Sequence, residues 1–183
     1  MNTFPLFQVC HPSYVEEVKV SGFWTWMFTL SKVPELGDTI FIVLRKQKLI
    51  FLHWYHHITV LLFTWYCYPD HTATARWYID MNYFVHSLMY SYYALRALGY
   101  RVPKQIAMVI TTSQIIQMIL GAYVTYYAYQ RKLAGDNCKI AYSTINWGLI
   151  MYSSYFLLFA RFFINAYLFS GPAASKRSVK KSD

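Results

Sequence analysis

The sequence predicts an all-α, polytopic membrane protein. Five apolar stretches have the length of a bilayer-crossing helix. The 183 residues are 56% hydrophobic and 20% aromatic but only 14% charged, where soluble domains carry about a quarter charged residues. Lys and Arg gather in short connections and in the tail, the distribution expected of loops beside a membrane.

The stretches follow in order. The first covers about 23–44 and carries Lys32, Glu35 and Asp38 within an otherwise apolar run. The second covers about 49–68, the third about 77–98 and the fourth about 106–129. The fifth, about 140–169, is long enough to tilt or to extend past the bilayer. Segments 69–76, 99–104 and 131–139 are polar and contain turn residues. The expected organisation is a lumenal segment 1–22, a transmembrane domain 23–169 and a basic, disordered cytosolic tail 170–183. No soluble domain, internal repeat or low-complexity tract stands out. The first twenty residues do not read as a signal peptide, because they lack a basic start and Glu16 and Glu17 interrupt them.

Charge sets the expected orientation. With five spans, Arg45, Lys46, Lys48, Arg101, Lys104, Lys176, Arg177, Lys180 and Lys181 fall on one side, and Lys19, Arg76, Arg131, Lys132 and Lys139 on the other. The richer side is cytosolic by the positive-inside rule. The net charge of +9 then serves topology and anionic ligands, and nucleic acid is not an expected partner. Lys180 and Lys181 match a dilysine retrieval signal, which predicts the endoplasmic reticulum membrane with a cytosolic C-terminus. A merely basic tail is the plainer account. Three cysteines cannot form a stapled scaffold. Cys10 and Cys138 both fall on the lumenal side, where disulfides persist, and are expected to pair.

Ionisable groups inside a bilayer cost several kcal/mol each and usually face a cavity or a partner. Lys32, Glu35 and Thr39 share a face of the first span, with Asp38 at its edge. The bland alternative is an internally neutralised ion-pair cluster. In the second span His53 faces the same side as His56 and His57, and three imidazoles in one turn are hard to explain as packing. In the third span Asn82, His86, Met89, Tyr90 and Tyr93 form one face, with Tyr92 alongside. Thr111, Gln114 and Gln117 mark the fourth, where interhelical hydrogen bonding is the competing account. Together they describe a buried polar site in an apolar shell. Imidazole there can be base, acid, nucleophile or metal ligand, and spacing does not choose.

These residues carry a resemblance. Lys32-x-x-Glu35-Leu36-x-Asp38-Thr39, His53-x-x-His56-His57, His86-x-x-Met89-Tyr90-x-Tyr92-Tyr93 and Thr111-x-x-Gln114-x-x-Gln117 occur in order, each on its own span. The set resembles the four signature motifs of the ELO family of very-long-chain fatty acid elongases, over about 23–169. The resemblance implies condensation of a long-chain acyl-CoA with the co-substrate malonyl-CoA to a 3-oxoacyl-CoA, releasing carbon dioxide and CoA. It implies no metal and no redox cofactor. It implies a seven-span helical barrel around an acyl tunnel. Five spans are present here, so the chain is expected to be a form shortened at its N-terminal side. His53, His56, His57 and His86 become the expected catalytic residues. Lys32, Glu35, Asp38, Asn82, Tyr90, Tyr93, Gln114 and Gln117 become the supporting polar site. Arg45, Lys48, Arg96 and Lys104 lie at the cytosolic mouth, where they would bind CoA phosphates. Membrane lipids, the reductase and dehydratase enzymes of the elongation cycle, and a second copy of the chain are the expected partners.

Three other classes compete. A metal-dependent oxidase or desaturase also uses such histidine boxes, but with more histidines than these spans hold. A cysteine-based condensing enzyme would need Cys67, which lies roughly 16 Å along the helix from His56 at 1.5 Å per residue. A non-catalytic transporter or lipid-binding protein, or an inactive shortened partner of full-length elongases, would line its pore with similar residues.

Overall fold

The computed structural model describes residues 9–169. Lys180 and Lys181, with the rest of the tail, lie outside the described residues. The described residues form a short helix α1 (Ser13–Glu16) and five long ones: α2 (Lys19–Leu44), α3 (Phe51–Cys67), α4 (Ala75–Ala97), α5 (Lys104–Leu133) and α6 (Tyr142–Phe163). A π-helical turn, Ile164–Leu168, extends α6. No strand occurs among the described residues. The long helices match the five expected spans, and α1 was not expected from the sequence.

The helix ends follow from local chemistry. Gly99 and Gly135 adopt φ of 88° and 90°, a region that costs a Cβ-bearing residue roughly 1–2 kcal/mol. They end α4 and α5 in the same way. Tyr100 N–H donates to the Leu95 carbonyl (3.1 Å) and Gly99 N–H to that of Arg96 (3.2 Å). Asp136 and Gly135 repeat the pattern on Arg131 and Lys132. Pro103 precedes α5, where its fixed φ suits a helix start. Inside the helices, hydroxyls bond back one turn, as Thr29 does to the Thr25 carbonyl (3.0 Å) and Thr125 to that of Gly121 (2.7 Å), so they remain satisfied away from water.

The five long helices close into a ring. Passing around it, α2 packs on α3, α3 on α6, α6 on α5, α5 on α4, and α4 returns to α2. The α5–α6 contact is the most extensive and the α2–α4 seam the thinnest. At Gly121 of α5 an added Cβ would lie 2.5 Å from the Tyr152 ring of α6; the missing side chain is what lets this ring reach the core.

Polarity is inverted relative to a soluble bundle. Trp24, Leu62, Phe84, Val109, Trp147 and Leu157 are exposed, while Lys32, His57, Asn82, Thr111, Gln117 and Thr125 are buried. Large exposed apolar faces mark contact with lipid or partners. The helices Lys104–Leu133 and Tyr142–Leu168 are each long and apolar enough to cross a membrane on their own. The histidines, tyrosines and charges of α2–α4 lower their hydropathy, and those residues gather inside the ring, where a bilayer tolerates them.

One end of the ring carries a cap. Cys10 and Cys138 form the expected disulfide. Lys139 N–H donates to the Cys10 carbonyl and Ala73 N–H to the Lys139 carbonyl, both at 3.0 Å. Arg76 donates to the His11 carbonyl (3.1 Å) and to Ser13 Oγ (2.9 Å). Glu16 pairs with Lys139, and that bond lowers its carboxyl below the ordinary pKa. The segment before α2 is thereby stitched to the α3–α4 and α5–α6 connections.

Candidate active site: an imidazole between two cavities

Two cavities of the ring meet at one side chain, and a third, of about 500 Å3, opens at the α2–α4 seam beside Glu35, Asn82 and His86. A vestibule of about 850 Å3 lies between α2, α3, α4, α5 and α6 at the end away from the cap, and Asp38, Arg45, His53, His57, His86, Tyr90, Tyr93, Arg96 and Gln114 are among its walls. A much narrower slot of about 80 Å3 runs from the middle of the ring to the cap, between Phe28, Val60, Phe63, Met118, Met151 and Tyr152. His56 lines both. Among the described residues no other side chain does.

All three imidazoles on this turn of α3 line the vestibule, and only His56 of the three also lines the slot. His53 and His57, four residues apart, face the vestibule with ring centroids 4.5 Å apart. His56 points toward α6, where its ring meets Tyr155 at 4.8 Å and Phe159 at 5.9 Å. It remains 5.5 Å from His57. Tyr155 is the most buried of these partners, at 1% exposure. Its hydroxyl lies 2.5 Å from Thr59 Oγ1 and 3.4 Å from the His56 carbonyl, fixing the helix turn that presents His56.

Lys32, 2% exposed, sits where slot and imidazoles meet. Its Nζ donates to Glu35 Oε1 (2.6 Å) and to Asn82 Oδ1 (3.0 Å) and lies 4.1 Å from the centre of the Phe28 ring. Glu35 Oε1 is also 3.9 Å from His86 Nδ1. Asp38 accepts from the Tyr90 hydroxyl at 2.8 Å, so it is engaged by a phenol and not by an imidazole. Gln114 reaches Met89 Sδ at 3.5 Å, and Thr111 lies 3.2 Å from the Tyr167 hydroxyl. Gln117 lines the slot instead of the vestibule.

Among the described residues, four buried polar atoms of these motifs have no hydrogen-bond partner: Glu35 Oε2, Thr39 Oγ1, His53 Nε2 and His57 Nδ1. Among the described residues, no three His, Cys, Asp or Glu side chains converge as a metal site would require. Arg45 and Arg96 reach the vestibule wall. Lys48 and Lys104 do not line it; Lys104 lies over the Tyr167 ring, 5.5 Å from its centre. The sequence reading missed Tyr155, Phe159, Met151 and Tyr152. Their three- and four-residue spacing on α6 gives one helix face, but nothing in a run of apolar residues shows which face meets the histidines.

The chain matches the family model described as the GNS1/SUR4 family over residues 2–176. It belongs to that family, the ELO family. It is accordingly a polytopic membrane protein, all-α throughout the described residues. It is 57% identical over 171 residues to very long chain fatty acid elongase 6 of Drosophila melanogaster, an alignment covering 92% of this chain and 54% of that protein. It is 53% identical over 169 residues to elongase 6 of Rattus norvegicus, covering 92% and 63%. It is 57% identical over 149 residues to elongase 6 of Homo sapiens, covering 81% and 56%. The chain thus spans between about half and two thirds of these relatives. No solved structure matches it.

Proposed function

We propose that this chain carries the condensing site of a fatty acid elongase, joining a long-chain acyl-CoA to malonyl-CoA to give a 3-oxoacyl-CoA, carbon dioxide and CoA. The observation that carries the reading is His56, which borders both the vestibule, whose walls include Arg45 and Arg96, and the narrow slot, most of whose wall is apolar. An acyl-CoA has the same two-part character. Its phosphates would stay beside Arg45 and Arg96 and its hydrocarbon would enter the slot, which puts the thioester at His56. The relatives' names, very long chain fatty acid elongase 6, support the elongase part of this reading.

The chemistry would run in two steps without a metal or redox cofactor. A His56 ring nitrogen attacks the thioester carbonyl, the C–S bond breaks, and CoA leaves as thiol after taking up a proton. The acyl group is then held as an acyl-imidazole. Malonyl-CoA next loses carbon dioxide, and the resulting enolate carbon attacks the acyl carbonyl. A carbon–carbon bond forms and the imidazole is released. The unpartnered nitrogens of His53 and His57 would move the proton and donate to the developing oxyanion. Glu35, beside both Lys32 and His86, would hold the local charge arrangement. The setting would be the endoplasmic reticulum membrane, with the vestibule open to the cytosol, and the 3-oxo product would pass to reductase and dehydratase partners.

Membranes carrying the chain, given palmitoyl-CoA and labelled malonyl-CoA, should form a labelled 3-oxoacyl-CoA that a His56→Ala variant does not. Intact-mass measurement after palmitoyl-CoA alone should find the palmitoyl adduct. Product formation without any adduct would rule out His56 as the nucleophile and leave direct condensation.

A further inference from the structure

The four motifs lie on α2, α3, α4 and α5, and none of them on α6. Yet α6 is the helix toward which His56 points. The contacts that hold the imidazole there are aromatic: Tyr155 at 4.8 Å with the planes inclined at 57°, and Phe159 edge-on at 5.9 Å. A ring contact lacks the direction of a hydrogen bond, so the imidazole is placed only as well as the ring it leans on. Tyr155 is placed by a relay of hydroxyls. Thr59 Oγ1 donates to the Tyr55 carbonyl at 2.6 Å, which uses the one proton a threonine hydroxyl has. At the 2.5 Å contact between Thr59 Oγ1 and the Tyr155 hydroxyl, the phenol is therefore the donor. A second relay runs beside the first. Ser154 Oγ donates to the Met151 carbonyl at 2.8 Å, so at its 3.1 Å contact with Tyr55 the Tyr55 phenol donates. One tie thus runs from α6 to α3 and the other from α3 to α6. Together they flank His56 and resist both sliding and turning of the two helices.

We propose that Tyr155 is a positioning residue for His56, and that the ties Tyr155–Thr59 and Tyr55–Ser154 keep the imidazole at the junction of slot and vestibule, an inference that rests on the elongase reading above. Tyr155 makes and breaks no bond in the condensation; it acts through the imidazole. Its ring also lines the slot, so the side chain that steadies the nucleophile borders the space assigned to the acyl chain. Placement of this kind matters to rate, because a displacement of about 1 Å in a reacting group can cost about a hundredfold. The hydroxyl matters more than the bulk of the side chain. A phenylalanine would keep the contact with His56 but would lose the donor that fixes where the ring lies.

Two measurements on the whole chain in membranes test this. The first is the steady-state rate with palmitoyl-CoA and malonyl-CoA. Tyr155→Phe removes the donor of the first tie and Thr59→Val removes its acceptor. Each should lower kcat about tenfold or more and leave the KM for palmitoyl-CoA within about twofold, as expected when the reacting group is misplaced but binding is not. The double variant should lose no more than the worse single, because both changes break the same bond. Thr59→Ser, which keeps the hydroxyl, should recover the rate that Thr59→Val loses. The second measurement is the reaction of His56 with diethyl pyrocarbonate, followed by peptide mass. With the tie broken the ring can swing toward the larger vestibule, so His56 should be modified severalfold faster in both single variants. Both effects are required. A merely structural role would lower the melting temperature and leave kcat and His56 modification at their wild-type values, and that result overturns the positioning role while product formation upholds the elongase reading. If the wild type forms no 3-oxo product, the elongase reading falls and the reagent alone decides: faster modification upholds the positioning role and an unchanged rate overturns it. Should Tyr155→Phe fail to fold, Thr59→Val and Thr59→Ser carry the same comparison.

Discussion

Replacing Lys32 by Met tests whether the charges inside the ring are a matched set. Met nearly preserves the side chain's volume and its contact with the Phe28 ring, but removes the ammonium that donates to Glu35 and Asn82. Glu35, 11% exposed, then keeps a carboxylate whose second oxygen already lacks a partner. Stranding one member of a buried ion pair costs about 3–5 kcal/mol. The low end applies here, because a helix unfolded within a bilayer also finds partners for its polar groups. About 3 kcal/mol lowers the melting temperature by about 6–12 °C for a chain of this size. The assay is thermal unfolding in detergent of the wild type, Lys32→Met, Glu35→Gln and the double variant. Removing both charges abolishes the mismatch, so the double variant should lose markedly less than the sum of the two singles. Strict additivity would refute the idea that Lys32 and Glu35 act as a pair.

Two further outcomes follow from the geometry. Gly121→Ala places a Cβ against the Tyr152 ring and should destabilise by about 1–3 kcal/mol. Tyr152 lines the slot, so the ring should be driven into it, and acyl-CoA affinity should fall with chain length in a binding titration. Arg45→Gln and Arg96→Gln should each raise the KM for acyl-CoA about fivefold with little change in kcat, as expected for loss of about 1 kcal/mol from an exposed charge contact. Lys48→Gln, away from the vestibule wall, should change neither.

The five long helices were legible because bilayer length and apolarity are properties of a contiguous run. Their ends were less so. The chain reads apolar from 23, yet α2 begins at Lys19, because a helix can extend beyond an apolar boundary. The motif faces on α2, α3 and α4 were legible as well, since polar residues stand out on an apolar helix. What stayed hidden needed the third dimension. Spacing places His53, His56 and His57 together, as the vestibule does, but did not show that His56 alone of the three also reaches the slot. Lys104, one residue past Pro103, does not line the vestibule itself but lies over the ring of Tyr167, which does. Tyr14 belonged to a segment with no periodic pattern. Only the pairing of Cys10 with Cys138 hinted that the segment folds back onto the ring.

In the proposed reaction, the ring would also narrow which histidine meets the substrate. His86 and Glu35 lie at the thin α2–α4 seam, and His53 and His57 face the vestibule. An acyl-CoA's thioester is the boundary between its charged and hydrocarbon parts. Each part seeks the cavity that solvates it, so the boundary of the ligand settles at the boundary of the cavities. Among the described residues that place belongs to His56 alone. Its ring is braced by Tyr155 and Phe159, and Lys32, Asn82 and Gln117 also line the slot. An imidazole in a different turn of α3 would lie either among the phosphate-facing cations or against the methylenes, and neither position reaches a carbonyl. The partition of the substrate, more than any single hydrogen bond, therefore selects the nucleophile in the proposed reaction.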